Sequence, residues 1–388
     1  MIRKIAILGS TGSIGKSLIN IINKDKKNFE IVLLTANKNI KELSKQVKKF
    51  QVKNVIITNK SKFLIIKKKF KNKKINVYNN FDLLNKLFKN KKIHYTMNAI
   101  TGLEGLYPTL EVIKFTKNIG IANKESIICG WPLIEKELIK FKTKFIPIDS
   151  EHFSIWSLIE KAEDQNIEKL FITASGGPFV NYPLKKFKSI TPKLALKHPN
   201  WKMGKKISID SSTMINKVFE IIEARKIFNF NYNKLDILVH QKSYVHAVVK
   251  FTNGLTKLLI HDTNMTIPIF NSLYPNFEKK IKTKNLKMDI INNLDFKKID
   301  IKKFPAVNIL KTLPKNHSLY ETIIVAANDQ LVKMFLNNRI RFLDISKILL
   351  KFINRKEFKR YKRIKPKNIA QIEQLSNYVS LKINSLSI

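Results

Sequence analysis

Across 388 residues the chain carries a single cysteine, Cys129. One thiol cannot build an internal disulfide framework, and a reducing compartment suits such a chain. Long apolar runs are missing too: none approaches the roughly 18 residues of a membrane-spanning helix. Met1 through Ile5 lead straight into the strand-like Ala6-Ile7-Leu8, leaving no room for a signal or transit peptide. A cytoplasmic protein with no membrane partner is expected. No internal repeat is visible. The hydrophobic share of 44% is ordinary for a globular chain, and the length allows two or three domains.

Acids are scarce as well, with 29 Asp and Glu against 73 Lys and Arg and a formal net charge of +44. Such a charge is one route to binding nucleic acid or an anionic surface. The lysines, however, are spread along the chain among many Asn and Ile, and all three are specified by A/T-rich codons. Drift of composition explains the charge as well as a partner does. The densest block, Lys67-Lys68-Lys69 with Lys71, Lys73 and Lys74, lacks the interleaved aromatics of a base-stacking platform. An anionic small molecule fits better than a nucleic acid, and no nucleic-acid partner is expected.

Against this basic background the stretch Ile146-Pro147-Ile148-Asp149-Ser150-Glu151-His152 stands out. An apolar run there ends in two carboxylates on alternate positions, where a strand would leave a sheet. Alternate residues of an extended segment point the same way, so Asp149 and Glu151 can converge. Two converging carboxylates repel unless one is protonated or a cation lies between them. A hard divalent metal with oxygen ligands meets that need. A pair of solvated acids is as good a reading of these two residues alone.

Residues 1–150 alternate short apolar runs with longer, Lys-rich helical patterns. Ile5–Leu8, Ile31–Thr35, Val55–Thr58, Tyr95–Ala99, Ile119–Ala122 and Phe145–Ile148 read as strands. The alternation implies right-handed crossovers and a mostly parallel, Rossmann-like sheet. Gly9-Ser10-Thr11-Gly12-Ser13-Ile14-Gly15 lies between the first strand and a helix expected near Lys16. Such glycines let a pyrophosphate approach backbone N–H groups at a helix N-terminus, although a simple strand–helix turn needs no ligand. The second strand ends in Thr35-Ala36-Asn37-Lys38-Asn39 without the acid that would hold the ribose hydroxyls of NAD. Lys38 would attract a 2′-phosphate, which predicts NADPH; the alternative is one more lysine in a lysine-rich chain. Ala122-Asn123-Lys124-Glu125-Ser126 follows another strand, where cofactor or substrate binds in such folds.

Beyond Glu151 the composition changes. Lys169–Ala174 reads as a strand leading into Ser175-Gly176-Gly177-Pro178, a plausible anion-binding turn or a plain one. His198-Pro199-Asn200-Trp201-Lys202-Met203-Gly204 reads as a loop, with Trp201 either packed on the surface or part of a lid. Ile207 through Thr213 leads into a helix with Asp210 or Ser211 as expected cap. On it Asn216, Glu220 and Glu223 share one face at i, i+4 and i+7. Ser211, Asn216 and Lys217 offer donors to a phosphate, and Glu220 offers a third carboxylate, although a solvated helical face would show the same spacing. His246–Phe251 and Leu255–Ile260 around Asn253-Gly254 form a hairpin signal, so this part is expected to be α+β. The division is 1–149 for the dinucleotide domain, 150–278 for the catalytic domain, 279–303 for a linker and 304–388 for a helical domain.

Taken together, these residues resemble the 1-deoxy-D-xylulose 5-phosphate reductoisomerase family of the non-mevalonate isoprenoid pathway. The resemblance is strongest in Gly9–Gly15, Ala122–Ser126, Asp149–His152, Ser175–Phe179 and His198 through Glu223. Asp-Ser-Glu-His, Gly-Gly-Pro-Phe, His-Pro-Asn-Trp and Met-Gly-Lys-Lys-Ile-Ser occur in the family's order. The resemblance implies a metal-dependent rearrangement followed by hydride transfer from NADPH, giving 2-C-methyl-D-erythritol 4-phosphate. It implies that Asp149, Glu151 and Glu220 hold Mg²⁺ or Mn²⁺, and that Lys124 and Ser150 touch the reacting end. Ser175, His198, Ser211, Asn216 and Lys217 would bind the phosphate and hydroxyls of the sugar. Thr11, Gly12, Ser13, Ile14, Asn37, Lys38, Asn39, Asn123, Glu125 and Gly204 would hold NADPH, and Trp201 would sit on a closing loop. Family members are homodimers. The chain departs from the family's pattern at Asn37, at His240-Gln241-Lys242-Ser243, at His261 through Met265, and at Val218 and Phe219, none of them an implied ligand of metal or phosphate.

Overall fold

The computed structural model describes residues 2–71, 73–88, 92–159, 166–201, 203–275, 279–285 and 288–386. In chain order its strands are β1 (Arg3–Leu8), β2 (Phe29–Ala36), β3 (Asn54–Ile57), β4 (Asn76–Tyr78), β5 (Ile93–Asn98), β6 (Thr116–Ile121), β7 (Lys144–Pro147), β8 (Ile167–Ala174), β9 (Leu235–Val239), β10 (Val245–Phe251), β11 (Thr256–Ile260) and β12 (Lys297–Lys298). Its α-helices are α1 (Ser13–Lys24), α2 (Ile40–Phe50), α3 (Lys60–Lys69), α4 (Leu84–Phe88), α5 (Leu106–Ile113), α6 (Lys124–Phe141), α7 (Ser150–Ile159), α8 (Pro192–Ala195), α9 (Lys205–Ser212), α10 (Ile215–Phe228), α11 (Thr266–Leu273), α12 (Met288–Asn292), α13 (Tyr320–Leu336), α14 (Phe342–Ile353) and α15 (Ile369–Asn384). The fold is α/β, as the alternation in the sequence implies. No helix among the described residues is long and apolar enough to cross a membrane.

The chain forms two compact units. The first comprises Met1–Ser126, Pro132–Asp149 and Met265–Ile281. Its sheet has the order β4-β3-β2-β1-β5-β6-β7 and every neighbouring pair is parallel. Strands in a parallel sheet are covered on both faces and read as unbroken apolar runs. Ile5 through Leu8 is such a run, with all four residues fully buried. The six strands expected here are all present, and β4, too short and too polar to stand out, is an addition. Strand order reverses between β1 and β5, so the loops leaving those two strands flank the crevice where such sheets bind ligands. Helix α1 buries Leu18, Ile19, Ile21 and Ile22 into this core. The distant segment around α11 belongs to the same unit: Tyr95 and Ser272 share a buried hydroxyl contact of 2.8 Å, and Tyr274 donates to Asp25 at 2.8 Å.

The second unit comprises Ile127–Trp131, Ser150–Asn264 and Lys282–Ile388. Its sheet has the order β11-β10-β8-β9-β12. The hairpin expected at Asn253-Gly254 joins antiparallel β10 and β11, with Gly254 at φ +87°. Pair β8–β9 is parallel and β8–β10 and β9–β12 antiparallel, so this sheet is mixed. The strand β9 was not apparent as an alternating run, and β12 falls within the stretch expected as linker, of which 286–287 lie outside the described residues. From Phe304 to Leu386 the regular elements are all helical. Helix α13 is buried on nearly every side and contacts α9, α14 and α15. Its Glu321 pairs with Lys226 of α10 at 3.0 Å, both side chains 2% exposed.

Candidate active site

The glycine turn is built by close backbone approach. Gly9 adopts φ +78°, and a Cβ there would stand 2.7 Å from the Ala99 carbonyl oxygen in the loop after β5. Gly15 has no room either: a Cβ would meet the Gly9 oxygen and the Ser10 Cα at 2.6 Å. The turn is tied to β2 by Gly9 N donating to Thr35 Oγ1 and Ser10 N to the Thr35 carbonyl, both at 2.9 Å. Helix α1 begins at Ser13, three residues before the expected start, with extended Gly12 as its cap and no capping side chain. Its first N–H groups therefore remain available to an anion. Thr11 and Ile14 are half-buried, and Gly12 and Ser13 exposed.

After β2, Asn37, Lys38 and Asn39 are all exposed. Asn39 caps α2 by accepting from Glu42 N at 3.1 Å, and Asn37 donates to Thr58 Oγ1 at 2.9 Å. Lys38 is thus the cation placed at the end of the second strand. The Asn123 side chain is bonded within the protein. Its Oδ1 caps α6 by accepting from Ser126 N at 2.7 Å, and its Nδ2 donates to the carbonyls of Ile100 and Gly102, the latter at 2.7 Å. That buried side chain holds the loop after β5 against the start of α6. Glu125 is half-buried in the first turn of α6.

The acidic stretch corrects one premise of the sequence reading. β7 ends at Pro147 and α7 begins at Ser150, so Asp149 and Glu151 do not alternate along a strand. Only Ser150 separates them, and the sharp strand-to-helix junction brings them together. One carboxylate oxygen from each of Asp149, Glu151 and Glu220 lies within 4.8 Å of the others. Glu220 arrives from α10. There the expected N-cap is also displaced: Asp210 and Ser211 lie inside α9, and α10 is entered through Met214 at φ +64°. Ammonium groups already compensate this charge. Lys124 bonds Asp149, and Lys217 bonds Glu151 and Glu220, the last at 2.5 Å. Burial works against the charged Lys217, but the two carboxylates outweigh it and its pKa is raised. Three hard oxygen donors facing internal cations fit a divalent metal of the Mg²⁺ or Mn²⁺ type.

Two neighbours that the sequence reading gave no role stiffen this group. His152, fully buried one residue after Glu151, meets the Glu220 carbonyl oxygen through Nε2 at 2.9 Å. Its other nitrogen lies 3.5 Å from Glu223 of α10. The ring thereby joins α7, which carries Glu151, to α10, which carries Glu220. Its place at the end of the Asp-Ser-Glu-His motif is the signal the sequence offers. Val218 and Phe219, two of the departures from the family's pattern, are buried core residues.

The phosphate candidates gather around the turn after β8. Ser175 Oγ lies 3.1 Å from His198 Nε2 and accepts from Gly177 N at 3.1 Å. Gly177 has φ +63°, and a Cβ there would come 2.9 Å from the Ser211 carbonyl oxygen, so the turn packs directly on the end of α9. Asn216 and Lys217 open α10, and Asn216 bonds Glu220 through Nδ2 at 2.5 Å. Burial, then the Lys217 ammonium, pushes the His198 pKa down to about 4. Backbone N–H groups of Asn200 and Trp201 donate to its Nδ1 at 3.2 and 2.9 Å, leaving Nε2–H as a neutral donor. Trp201 itself is half-buried, edge-on to His246 at 6.2 Å. Gly204 caps α9, with open space where a Cβ would be. Ser150 opens α7 and its hydroxyl bonds Glu151.

A parallel sheet with a glycine turn at its switch point, together with three carboxylates and a Ser–His turn, defines a dinucleotide-dependent, metal-using enzyme of anionic substrates. Residues 5–130 match the family described as 1-deoxy-D-xylulose 5-phosphate reductoisomerase, residues 145–228 its C-terminal domain, and residues 261–379 a further DXP reductoisomerase C-terminal domain. The chain is 63% identical to the 1-deoxy-D-xylulose 5-phosphate reductoisomerase of Pelagibacter ubique, over 100% of both proteins, and 39% identical to that of Clostridium novyi, covering 93% of this chain and 94% of that protein. Among solved structures, the reductoisomerase from Zymomonas mobilis in complex with NADPH aligns with a TM-score of 0.87 at 30% identity, with 100% of both chains covered. A DOX-P reductoisomerase in complex with NADPH, fosmidomycin and magnesium aligns at 0.90 and 27% identity, covering 99% of this chain and 98% of that one. The chain belongs to the 1-deoxy-D-xylulose 5-phosphate reductoisomerase family.

Proposed function

We infer that this protein converts 1-deoxy-D-xylulose 5-phosphate to 2-C-methyl-D-erythritol 4-phosphate, by a rearrangement and an NADPH-dependent reduction in isoprenoid precursor biosynthesis. The observation that carries this reading is the group Asp149, Glu151 and Glu220, gathered within 4.8 Å, with Lys217 of the same helix as Glu220 bonded to two of the three. The cofactors are NADPH and a divalent metal, Mg²⁺ or Mn²⁺. A metal held by the three carboxylates would supply Lewis-acid stabilisation of the charge that develops on the substrate's carbonyl and hydroxyl oxygens. NADPH supplies the hydride.

The chain's own residues hold the reactants and exclude water. Neutral His198, Ser175, Ser211, Asn216 and Lys217 offer a phosphate one ammonium and several uncharged donors, and Lys217 contributes the charge-assisted bond. Ser150 and Lys124 serve the reacting end beside Asp149. Thr11, Gly12, Ser13 and Ile14 present the pyrophosphate with the N-terminus of α1, while Asn37, Lys38 and Asn39 take the adenosine end. Asn123 and Glu125, at the start of α6, and Gly204, at the start of α9, complete the cofactor set. Trp201 closes over the sugar and keeps water out of the reaction.

The working division is 1–149 for cofactor, 150–278 for catalysis, 279–303 as linker and 304–388 as helical support, with the exceptions that 265–281 belong to the first unit and that Lys297–Lys298 add a strand to the second sheet. The active form is a homodimer in the cytoplasm. NADPH oxidation in the presence of 1-deoxy-D-xylulose 5-phosphate, with and without Mg²⁺, tests the reading. Absence of turnover from a folded, metal-loaded sample would sink it.

A further inference from the structure

Three carboxylates and two lysines leave the acidic group with one net negative charge when Lys124 and Lys217 are both ammonium ions. Lys217 bonds Glu151 and Glu220 through the same Nζ, and its side chain is 9% exposed. A divalent cation bound by those oxygens and an ammonium group bonded to them would repel each other strongly, because interaction energy rises as distance and local dielectric fall. The two cations therefore compete for the acids. Lys124 bonds Asp149.

Lys217 has somewhere else to go. It lies at the start of α10 next to Asn216, close enough to His198 for its charge to act on that ring. His198 in turn touches Ser175 at the glycine turn. A lysine ammonium sits on a flexible four-carbon stem and can be re-aimed by rotamer change with its helix fixed. Resting on the proposed roles of these acids and of the Ser175 turn, we propose that Lys217 is a displaceable internal cation. Without metal it occupies Glu151 and Glu220; metal entry releases its ammonium group to the anionic end of the substrate. Metal and phosphate then bind with positive coupling through one side chain, and by linkage each strengthens the other by the same factor.

The test uses propylphosphonate, an anion with no metal-chelating group, and calorimetric titration of the full chain. Wild type should bind propylphosphonate about 10-fold more tightly in saturating Mg²⁺ than in its absence, of the order of such couplings. Lys217→Met should bind Mg²⁺ at least 5-fold more tightly than wild type, having lost its internal competitor. Its weakened propylphosphonate binding should respond to Mg²⁺ by 3-fold or less, the part due to the metal's field alone. Lys217→Gln repeats the measurement if Lys217→Met fails a thermal-unfolding check. Unchanged or weaker Mg²⁺ affinity in the Lys217 variant, or an equal Mg²⁺ effect on propylphosphonate in variant and wild type, overturns the proposal. Ser175→Ala separates this from the underlying assignment. It should weaken propylphosphonate while leaving the Mg²⁺-dependent factor intact; if neither Ser175→Ala nor the Lys217 variant weakens the anion, the phosphate assignment fails and the proposal with it.

Discussion

His198 and Ser175 face each other at 3.1 Å, with the far side of the imidazole fixed by two backbone amides. That arrangement needs Nδ1 unprotonated, and burial with the Lys217 charge holds the pKa down to about 4. An unfolded histidine titrates near 6.5. Between those values the unfolded chain binds a proton that the folded chain does not, so the contribution of this site to stability is present above pH 6.5 and lost as pH falls toward 4. His317, pushed to about 4 by burial and then by Lys226, Arg225 and Lys365, acts in the same direction. Thermal midpoints should be level above pH 7 and fall through that window, and the fall should shrink in His317→Asn. A flat profile from pH 7 to 5 would contradict this.

Gly15 tests the dinucleotide turn. A methyl group there meets backbone atoms of Gly9 and Ser10 at 2.6 Å, and backbone cannot swing aside as a side-chain tip can. Overpacking of this kind costs about 1–3 kcal/mol, and displacement of the turn should weaken NADPH by roughly tenfold for each 1.4 kcal/mol. Fluorescence titration of Gly15→Ala with NADPH reads the effect. Wild-type affinity would show that the turn does not contact the cofactor.

Asp149 separates metal chemistry from cofactor binding. Asp149→Asn removes one carboxylate of the three and leaves Lys124 without its anionic partner at that position. NADPH affinity should stay at the wild-type value while metal-dependent turnover disappears. Retained turnover at saturating Mg²⁺ would remove Asp149 from the ligand set.

The parallel sheet was legible because each of its main strands is a continuous apolar run bounded by turn residues, and periodicity reports that directly. The members of the acidic group were legible by resemblance, but their geometry was not. By sequence Asp149 and Glu151 are alternate residues of a strand end, whereas the chain turns into α7 between them. Asp210 and Ser211 have the chemistry of an N-cap, yet local propensity yielded to packing and they lie inside α9. The placement of α11 with the first unit depends on contacts such as Tyr95 with Ser272, far apart in sequence, for which periodicity carries no signal. Asn123 shows a related limit. Its place after β6 suggests a ligand contact, and only the hydrogen bonds reveal that its amide orders the neighbouring loop.

The anchoring of α10 rests partly on the Lys226–Glu321 pair, 3.0 Å apart and almost fully buried. Ser318 also donates to Glu321. Removing one partner strands a charge in the interior, which costs about 3–5 kcal/mol, whereas replacing both with apolar groups of similar size is often neutral. Lys226→Met should therefore lower stability in chemical denaturation by that amount, and Lys226→Met with Glu321→Leu should recover most of it. A double variant as unstable as the single one would mean that the pair contributes by more than charge compensation.

Lys38 is predicted to decide between the two nicotinamide cofactors. It is exposed at the end of β2, where Asn39 is committed to capping α2 and Asn37 to Thr58. The ammonium group is the one formal charge among these three residues, and a hydrogen bond to a charged group contributes about 1.5–3 kcal/mol. That is roughly one to two orders of magnitude in affinity at 1.4 kcal/mol per tenfold. Lys38→Asp both deletes the attraction to the 2′-phosphate and repels it, while offering a carboxylate to the ribose hydroxyls of NADH. The ratio of kcat/KM for NADPH over NADH should fall by at least 10-fold, mostly through KM for NADPH. KM for 1-deoxy-D-xylulose 5-phosphate should be unchanged. An unchanged cofactor ratio would assign the preference to another residue.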